Sequence, residues 1–592
     1  MKKTVSHLLF IVGLAMSVLT GCKHNPDSSL KDEQGSTNSK NIFDIKNLGL
    51  DVTGYWKKLS SSAAERVIKF LYDRPSLIQN AGLDFHPNEF IETDDGIKLQ
   101  ISYYLPKNYE KKETFPAVIF LNPWGSSANA NQLSRLPQRL SKEGYIVLLL
   151  TARGFGESGG QANFADLRDQ KDVGLAIDWL LENTKTDKEN IGAIGISYGG
   201  GVSLMTLVND ERLKTTVGIN AWGDMTDDGG FLDGNGVNER AGRFLVEFGD
   251  LMQCRIDEAK EIRKKMMDPD SIDDIRQWGK KRSPKFFLDE LNRRRPPIFF
   301  VHTYNDSFFK PNGILSFYSQ YQGPKKVSFY HGVHGTNMMF EGYADQGVGG
   351  EVISWFDRFL KNQENSLAVD AVSYSIRNKK LGQGPTSVKR PMVHYTNWQD
   401  SSFPKRAFYL QKRNNSKLLS ASPGAQVSET DLKAASEPSL FDGDQDTKLI
   451  LEGLFAWPVK ENIERLDSKH TAVYYSEAMA STKIRSISTL DISLRAKGRK
   501  PQVMAYLFDQ PKKGSAQLIT QGSLTVVDFK DDIGFGKLQF HGIAYDLPEG
   551  HRLALVIDTK DWDFLALPEQ DNNYSILEGG EYASKLNLSV EN

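Results

Sequence analysis

Six short apolar runs recur between residues 88 and 362, and segments with helical periodicity separate them. The runs are PAVIFLN from Pro116, YIVLLL from Tyr145, NIGAIGIS from Asn190, TTVGINAW from Thr215, PPIFFVHT from Pro296 and KKVSFYH from Lys325. The intervening segment DLRDQKDVGLAIDWLLENT places Val173, Ile177 and Leu180 at helical spacing. Strands that alternate with helices predict a mostly parallel sheet covered on both faces, so we expect an α/β, doubly wound domain over residues 88–362.

The alternation stops between about residues 224 and 295, where the sequence is charged and mostly helix-like. An insertion after a strand of a parallel sheet lies near the carboxyl edge, which is where open sheets of this kind bind ligands. We therefore interpret this segment as a helical cap insertion over a site, and we expect it to influence substrate choice.

After about residue 362 the pattern changes to short alternating segments separated by turn residues. In STLDISLRAKG, the apolar Leu490, Ile492 and Leu494 share one face, and HRLALVID repeats this pattern. These segments predict an all-β jelly-roll sandwich over residues 451–592. Residues 363–450 are interpreted as a connector and the start of this C-terminal domain, with the polar stretch NNSKLLSASPGAQVSETDLKAASEPSLF as a long loop or connector.

The first 22 residues, MKKTVSHLLFIVGLAMSVLTGC, have the layout of an export signal. The apolar segment that follows Lys2 and Lys3 is too short to favour a membrane-spanning helix. Because LTGC resembles the end of a bacterial lipoprotein signal, we expect residues 1–21 to be removed and Cys22 to carry lipid; an ordinary signal with a chance cysteine is the alternative. Residues 22–87 would then be a flexible tether and an N-terminal helical segment. The expected location is periplasmic or at the cell surface, anchored to a membrane through Cys22.

Composition excludes several classes of protein. The chain has 592 residues, a formal net charge of −2 and no long basic run, so nucleic acid is not expected as a partner. It has only two cysteines, which excludes a disulfide framework, and Cys254 is interpreted as a half-buried structural thiol. His331 and His334 lack a third ligand and an HExxH pattern, so neither a metal site nor another cofactor is expected.

The stretch GISYGG contains the clearest candidate for chemistry. Ser197 falls between a strand-like run and a helix start and fits the pattern G-x-S-x-G. This pattern is typical of the strand-to-helix elbow of α/β-hydrolases, whose glycines permit a tight turn that exposes the serine oxygen. A plain glycine-flanked turn is the alternative. The following helix would direct its N-terminal N–H groups toward an oxyanion beside Ser197.

A serine nucleophile requires a histidine base and an acid, which α/β-hydrolases supply in the chain order Ser, Asp or Glu, His. Asp306 follows the strand-like IFFVHT, and His334 follows VSFY. Because both residues come directly after predicted parallel strands, we expect their loops to meet Ser197 at one edge of the sheet. Ser197, Asp306 and His334 are therefore the predicted nucleophile, acid and base.

Two of these assignments have competitors in the sequence. Asp224 also follows a strand, but it precedes the cap insertion, one strand earlier than the usual acid position. His331 adjoins its strand, whereas His334 lies in a glycine-flanked loop. Asp306 and His334 are therefore preferred. His302 falls inside an apolar strand and is interpreted as a core histidine.

The donors for an oxyanion are expected from two loops. The backbone N–H of Tyr198, the residue after Ser197, is the first. The second should come from the loop PWGSS; Pro123 has no N–H, which leaves the backbone or indole N–H of Trp124, or the N–H of Gly125.

Several stretches together resemble the cocaine esterase and Xaa-Pro dipeptidyl-peptidase family of serine hydrolases. They are ARGFGESGG, DVGLAIDWLLENT, IGAIGISYGG, YND, GVHG, QPKKGSAQLITQGSL and DLPEGHRLALVID. The resemblance implies an α/β-hydrolase domain followed by a jelly roll, with Ser197 as nucleophile, Asp306 as acid and His334 as base. The family often binds the oxyanion through a tyrosine hydroxyl, at a position where this chain has Trp124. Its members cleave esters, amides or N-terminal dipeptides that end in proline.

Taken together, these residues predict a serine hydrolase that cleaves ester, amide or peptide bonds of a small substrate through an acyl-enzyme on Ser197. Ester cleavage is preferred over Xaa-Pro dipeptide release. The loop WGDMTDDGGFLDGNGVNE nevertheless offers carboxylates that could hold a substrate ammonium group. The alternative function is binding rather than catalysis: the chain would be a surface protein whose sandwich binds a glycan or a protein.

Overall fold

The computed structural model describes most of the chain from residue 83 onward. The described residues are 83–127, 136–226, 231–233, 236–237, 242, 245–247, 249–250, 254–268, 271–306, 308–335, 347–379, 391–414, 416–436, 438–441, 445, 448–449, 452–453, 457–496, 501–561 and 572–591. The predicted signal peptide, Cys22 and nearly all of the predicted segment 22–87 lie outside them. None of the described helices combines the length and the apolar character needed to cross a membrane.

Ten strands of the described chain form the first sheet, which is mostly parallel. They are β1 (Asp84–Glu92), β2 (Lys98–Leu105), β3 (Phe115–Leu121), β4 (Ile146–Leu150), β5 (Thr186–Ile196), β6 (Leu213–Ile219), β9 (Ile298–Thr303), β10 (Lys325–Tyr330), β11 (Ala371–Ser375) and β12 (Met392–Thr396). Their order is β1-β2-β4-β3-β5-β6-β9-β10-β11-β12. The strands from β4 to β11 are parallel, whereas β1, β2 and β12 pair antiparallel at the two edges.

Helices cover this sheet and build the insertion. They are α1 (Leu136–Lys142), α2 (Leu167–Asn183), α3 (Tyr198–Asn209), α4 (Asp257–Met266), α5 (Ile272–Lys280), α6 (Leu288–Arg294), α7 (Pro311–Gln320) and α8 (Val348–Leu360). Helices α4 to α6 lie within the predicted cap insertion, together with a hairpin of β7 (Leu232–Asp233) and β8 (Gly236–Val237).

Alternate residues of the central strands pack against different helices. In β3, Val118 and Phe120 belong to one core cluster with Trp355 of α8, whereas Ile119 belongs to another with Val173 of α2. All five side chains are fully buried, and burying an apolar side chain of this size contributes about 1.5–3 kcal/mol. Apolar packing on both faces explains why these strands read as continuous apolar runs, and it confirms the predicted doubly wound α/β domain.

All six predicted strands are present, and they are six of the seven contiguous parallel strands from β4 to β11. The sheet nevertheless extends beyond the predicted limits of 88 and 362, because β1 begins at Asp84 and β12 ends at Thr396. These edge strands are more exposed than the central ones, so they lack the continuous apolar runs by which the central strands were recognised.

Fifteen described strands form the C-terminal all-β sandwich, as predicted. They are β13 (Lys405–Arg413), β14 (Ser416–Ser420), β15 (Ser428–Leu432), β16 (Lys460–Glu461), β17 (Thr471–Ala478), β18 (Thr482–Ser486), β19 (Thr489–Arg495), β20 (Gln502–Gln510), β21 (Ala516–Thr525), β22 (Asp528–Lys530), β23 (Ile533–Gln539), β24 (Ile543–Leu547), β25 (Arg552–Asp558), β26 (Tyr574–Glu578) and β27 (Lys585–Glu591). Strand β20 is buried along its whole length and pairs with β21 and β25.

The sandwich begins earlier than residue 451. The interpretation of the polar stretch from Asn414 to Phe441 as a long loop or connector is wrong, because it contains β14 and β15, which pair with β13 and β26. Both strands are short and only partly buried, so polar residues occupy most of their positions and hide the two-residue alternation.

Candidate active site

Ser197 occupies a strained turn between β5 and α3. Its backbone has φ of 56° and ψ of −117°, a conformation that costs a residue with a side chain about 1–3 kcal/mol. A Cβ atom on Gly195 would lie 2.1 Å from the carbonyl carbon of Gly199, and one on Gly199 would lie 2.5 Å from Leu121 O. Only glycine fits at these two positions. The sequence G-x-S-x-G therefore forms the elbow that it predicts.

Asp306 and His334 form a buried acid–base pair. His334 Nδ1 lies 2.8 Å from Asp306 Oδ2 and 3.0 Å from Oδ1. The carboxylate, which is fully buried, also accepts hydrogen bonds from the backbone N–H groups of Phe308 and Phe309 and from the Asn220 amide, each at 2.9 Å. These donors fix the carboxylate, which in turn orients the imidazole.

The electrostatics keep Asp306 ionised. Burial alone would raise its pKa, but the nearby His334 and His302, together with the hydrogen bonds, lower the pKa to about 2. The Nδ1–H tautomer of His334 satisfies this carboxylate and leaves Nε2 free to act as a base. His302 lies inside β9, as predicted; it is fully buried, its Nε2 lies 2.7 Å from Phe309 O, and burial lowers its pKa.

A chain of backbone contacts brings the elbow and the acid–base pair to one sheet edge. The N–H of Ser197 donates to Ile219 O at 2.7 Å, and the next residue, Asn220, holds Asp306. His334 follows β10, the neighbour of β9, in a loop with positive φ at Gly332 and Gly335. Among the described residues, Ser197 Oγ makes no hydrogen bond to His334 Nε2; such contacts often tighten only when substrate binds.

Asp224 and His331, the competing acid and base in the sequence, have other partners in the structure. Asp224 is buried and accepts a hydrogen bond from Lys285 Nζ at 2.9 Å, so its charge is already balanced. The ring of His331 lies 3.0 Å from Arg377 O through Nε2 and 3.0 Å from Ser375 Oγ through Nδ1. Both ring nitrogens of His331 are therefore occupied by structural partners.

The indole of Trp124 is directed away from an oxyanion. Its Nε1–H donates to Leu245 O of the cap insertion at 3.0 Å, and its ring stacks on Phe164 at 4.5 Å. The indole option is therefore wrong, because an acceptor from a distant segment uses this donor. In the described part of the chain, the backbone N–H groups of Trp124 and Gly125 have no assigned acceptor. The same holds for the N–H of Tyr198, which begins α3 and has no intrahelical acceptor.

Asp169 of α2 anchors the ring of Tyr198, a contact that sequence reasoning missed. Tyr198 Oη donates to Asp169 Oδ2 at 2.7 Å, and the same oxygen accepts from Ala165 N at 2.7 Å. The other carboxylate oxygen has no hydrogen-bond partner in the described part of the chain. Burial raises the pKa of Asp169 to about 7. The only sequence signal for this contact was that Asp169 lies in DLRDQKD, and no sequence pattern pairs this aspartate with Tyr198.

We expect Asp169→Asn to change how stability depends on pH. Because the folded-state pKa of about 7 exceeds the unfolded value of about 3.9, the contribution of Asp169 to stability is full below about pH 4 and is lost as pH rises through about 7. The Asp169→Asn variant has no carboxyl at this position, so it does not lose stability in this way as the pH rises. Urea unfolding at about pH 5 and about pH 7.5 should show the variant gaining stability relative to wild type at the higher pH.

Asp178→Asn, which changes an exposed carboxylate of the same helix, is the control for this experiment. Its stability should remain parallel to that of wild type at the two pH values. Equal pH dependence for Asp169→Asn and wild type would contradict a raised pKa at Asp169.

The cap insertion is attached to the hydrolase domain through a buried cation. Arg282 is 4% exposed and pairs with Asp166 at 2.6 Å and Glu258 at 2.7 Å. Its guanidinium also lies 4.4 Å from the ring centre of Trp278, and its backbone oxygen accepts from the Trp222 indole at 2.6 Å. These contacts hold α4 and α5 beside the strand end that leads into the insertion.

Two further predictions concern cysteine and metals. Cys254 is half-buried and packs against the core, which agrees with a structural thiol. Within the described ranges, no three His, Cys, Asp or Glu side chains are arranged to hold a metal ion.

Comparison with known proteins identifies the two domains. The family model described as X-Pro dipeptidyl-peptidase (S15 family) matches residues 95–336. The model described as the X-Pro dipeptidyl-peptidase C-terminal non-catalytic domain matches residues 370–587. The first match contains Ser197, Asp306 and His334, and the second contains all of the sandwich except the last residues of β27.

Individual relatives are distant. An uncharacterized protein of Pseudomonas aeruginosa is 28% identical over 209 residues, which are 34% of this chain and 47% of that protein, so the chain spans about half the length of this relative. The structure of a CocE/NonD family hydrolase from Staphylococcus aureus has a TM-score of 0.64 at 15% identity, covering 86% of this chain and 94% of that one. That of an alpha-amino acid ester hydrolase has a TM-score of 0.66 at 14% identity, covering 88% and 99%. With this fold and both domain models in order along the sequence, the chain belongs to the X-Pro dipeptidyl-peptidase (S15) family of α/β-hydrolases.

Proposed function

We propose that the protein is a serine hydrolase that cleaves ester or amide bonds of small substrates through an acyl-enzyme on Ser197. The observation that carries this proposal is the buried Asp306 carboxylate, 2.8 Å from His334 Nδ1 at the edge of the sheet where the Ser197 elbow lies. A buried carboxylate held by three additional donors and paired with a loop histidine whose side chain is 14% exposed has the geometry of an acid that orients a base.

The proposed reaction has two halves. Ser197 Oγ attacks the substrate carbonyl carbon while His334 Nε2 takes the hydroxyl proton, and the Asp306 carboxylate stabilises the resulting imidazolium. The backbone N–H of Tyr198, together with that of Trp124 or Gly125, binds the oxyanion of the tetrahedral intermediate. His334 then gives the proton to the leaving alcohol or amine, and a water molecule activated by His334 hydrolyses the acyl-enzyme.

An ester is the preferred substrate, because the carboxylate of Asp224, at the start of the insertion, already has a cationic partner. Release of an N-terminal dipeptide requires a carboxylate that pairs with the substrate ammonium, since a buried unpaired cation costs several kcal/mol. Asp224 is 2% exposed and is neutralised by Lys285 at 2.9 Å. The side chains of the other acidic residues in this loop, Asp227, Asp228, Asp233 and Glu239, lie outside the described residues.

A paired assay tests the proposed substrate class. The purified protein should hydrolyse a short-chain p-nitrophenyl ester with kcat/KM at least about 10-fold above that for an Xaa-Pro anilide, because the carboxylate of Asp224 is already paired with Lys285. The Xaa-Pro anilide is also compared with its N-terminally blocked form. Efficient turnover of the free anilide, abolished by blocking its amine, would contradict the ester preference and identify a dipeptidyl-peptidase.

We also propose that the mature protein is an exported lipoprotein, held to a membrane through lipid on Cys22. The support is the sequence alone: two lysines, a short apolar segment and LTGC precede a polar tether. Intact-mass measurement of the membrane-extracted protein should show residues 1–21 removed and a lipid mass on Cys22. Retention of Met1 to Gly21 would refute this proposal.

A further inference from the structure

The loop that carries the acid lies against the C-terminal domain. In this loop, Tyr304 and Asn305 immediately precede Asp306, and all three residues are buried. His541 Nδ1 lies 3.0 Å from Tyr304 O. Burial lowers the pKa of His541 to about 3, so the ring is neutral and can donate this hydrogen bond through Nδ1–H. Residues of the sandwich thus contact the backbone two positions from the acid.

A buried ion pair lies beside the same loop. Arg377 donates from Nε and Nη2 to the two carboxylate oxygens of Glu452, at 2.7 and 2.8 Å, and both side chains are at most 2% exposed. Arg377 is held to the sandwich by its Nη1–H, which donates to Ile519 O at 2.7 Å, and by its backbone N–H, which donates to Ala544 O at 2.9 Å. A bidentate pair with these extra partners has a fixed position and orientation.

Asn305 connects this ion pair to both candidate catalytic loops. Its Nδ2 donates to Glu452 Oε2 at 3.2 Å, and its backbone N–H donates to Gly332 O at 3.2 Å in the loop of His334. The carbonyl of Arg377 also lies 3.0 Å from the ring of His331 in that loop. The ion pair therefore contacts the acid loop through Glu452 and the base loop through Arg377.

We propose that Glu452 and Arg377 form a clamp by which the C-terminal domain positions Asp306 and His334. The clamp acts through Asn305 and the backbone of the two loops, so Glu452, Arg377 and Asn305 are positioning residues that touch no reacting atom. The inference rests on the proposed hydrolase function, and it gives a mechanical role to a domain whose family model is described as non-catalytic. Displacement of a catalytic group by about 1 Å can reduce the rate by about 100-fold.

Two variants test the clamp. Glu452→Gln keeps the shape of the side chain but removes the charge that orients Arg377. Asn305→Ser leaves the ion pair intact and removes only the contact between Glu452 and the acid loop. We expect each variant to lower kcat by about 10- to 100-fold with KM within about twofold of wild type, measured per active site titrated with a fluorophosphonate. The rate of fluorophosphonate labelling should fall in parallel.

Glu578→Gln is the matched control. Glu578 is also a fully buried carboxylate of the sandwich, held by Thr430 Oγ1 at 2.7 Å and Ser428 Oγ at 3.0 Å, and none of its described hydrogen bonds reaches a catalytic loop. Its kcat per titrated site should stay within about twofold of wild type. If any disturbance of the sandwich core lowers activity, kcat should fall equally in Glu578→Gln and in the two clamp variants.

The outcomes separate the clamp from the proposed function. Wild-type kcat per titrated site in Asn305→Ser, or an equal loss in Glu578→Gln, would overturn the clamp, whether or not Glu452→Gln folds. Absence of fluorophosphonate labelling in the wild-type protein would instead refute the hydrolase function on which the clamp depends. The clamp would be supported if only Glu452→Gln and Asn305→Ser lose kcat and if their KM is unchanged.

Discussion

Ser197→Ala should lower kcat by roughly 10⁶-fold and should abolish fluorophosphonate labelling. The serine oxygen is the only atom removed, and it is the atom that forms the acyl-enzyme in the proposed reaction. The elbow conformation does not depend on this oxygen, because Ser197 N and O are held by Ile219 O at 2.7 Å and Gly201 N at 3.0 Å. Steady-state hydrolysis of a p-nitrophenyl ester measures the fall in kcat, and gel detection of the labelled protein measures the loss of labelling.

The strained backbone adds a stability signature to this experiment. At φ of 56° and ψ of −117°, alanine bears the same steric cost as serine, whereas glycine does not. Ser197→Gly should therefore be as inactive as Ser197→Ala but more stable than it, by about 1 kcal/mol in urea unfolding.

Ser203→Ala is the matched control on the same helix. Ser203 is fully buried, and its hydroxyl donates to Gly200 O at 2.8 Å rather than to any group at the sheet edge. Its labelling should remain at the wild-type level. If Ser197→Ala keeps hydrolysis and labelling while Ser203→Ala loses them, Ser197 is not the nucleophile.

The sheet centre could be predicted from sequence because its strands are buried on both faces. Such strands must be apolar at every position, so each one is visible as a continuous run, as in residues Phe115–Leu121. Strand β14, in contrast, is half-exposed and only five residues long, and its sequence SKLLS has no pattern that distinguishes it from a loop. Local patterns therefore predict core elements and miss partly exposed ones.

The same distinction applies to the candidate site. The elbow, Asp306 and His334 could be named because each follows a recognisable strand, and parallel strands bring their carboxyl ends together. The indole contact of Trp124 could not be predicted, because its acceptor, Leu245 O, is 121 residues away in an insertion without a recognisable strand. The contact between Asn305 and Glu452 spans 147 residues and two domains, and no local pattern records it.

Asp306→Asn should lower kcat by roughly 10⁴-fold with little change in KM, the size of effect known when the acid of a serine-protease triad becomes an amide. The Asp306 carboxylate faces the His334 Nδ1–H and three further donors, from Phe308, Phe309 and Asn220. An amide offers one acceptor oxygen and directs an NH₂ group at some of these donors. His334 would then turn or adopt the Nε2–H tautomer, which cannot accept the proton of Ser197.

Acid should reduce the difference in stability between Asp306→Asn and wild type. The folded-state pKa of Asp306 is about 2, below the unfolded value of about 3.9. Its stabilising contribution is therefore present above about pH 4 and is lost as pH falls toward 2. Urea unfolding at about pH 7 should show the variant clearly less stable than wild type, with the gap narrowing below about pH 4.

Asp224→Asn provides the decisive comparison, because Asp224 is the competing acid in the sequence. It is also a buried carboxylate that follows a parallel strand, but its partners are Lys285 and Thr226 rather than a histidine. Its loss should destabilise the fold, because the variant removes the buried charge that pairs with Lys285 at 2.9 Å, while kcat per titrated site stays within about threefold of wild type. The reverse result, with Asp224→Asn losing turnover and Asp306→Asn retaining it, would move the acid to the strand before the insertion.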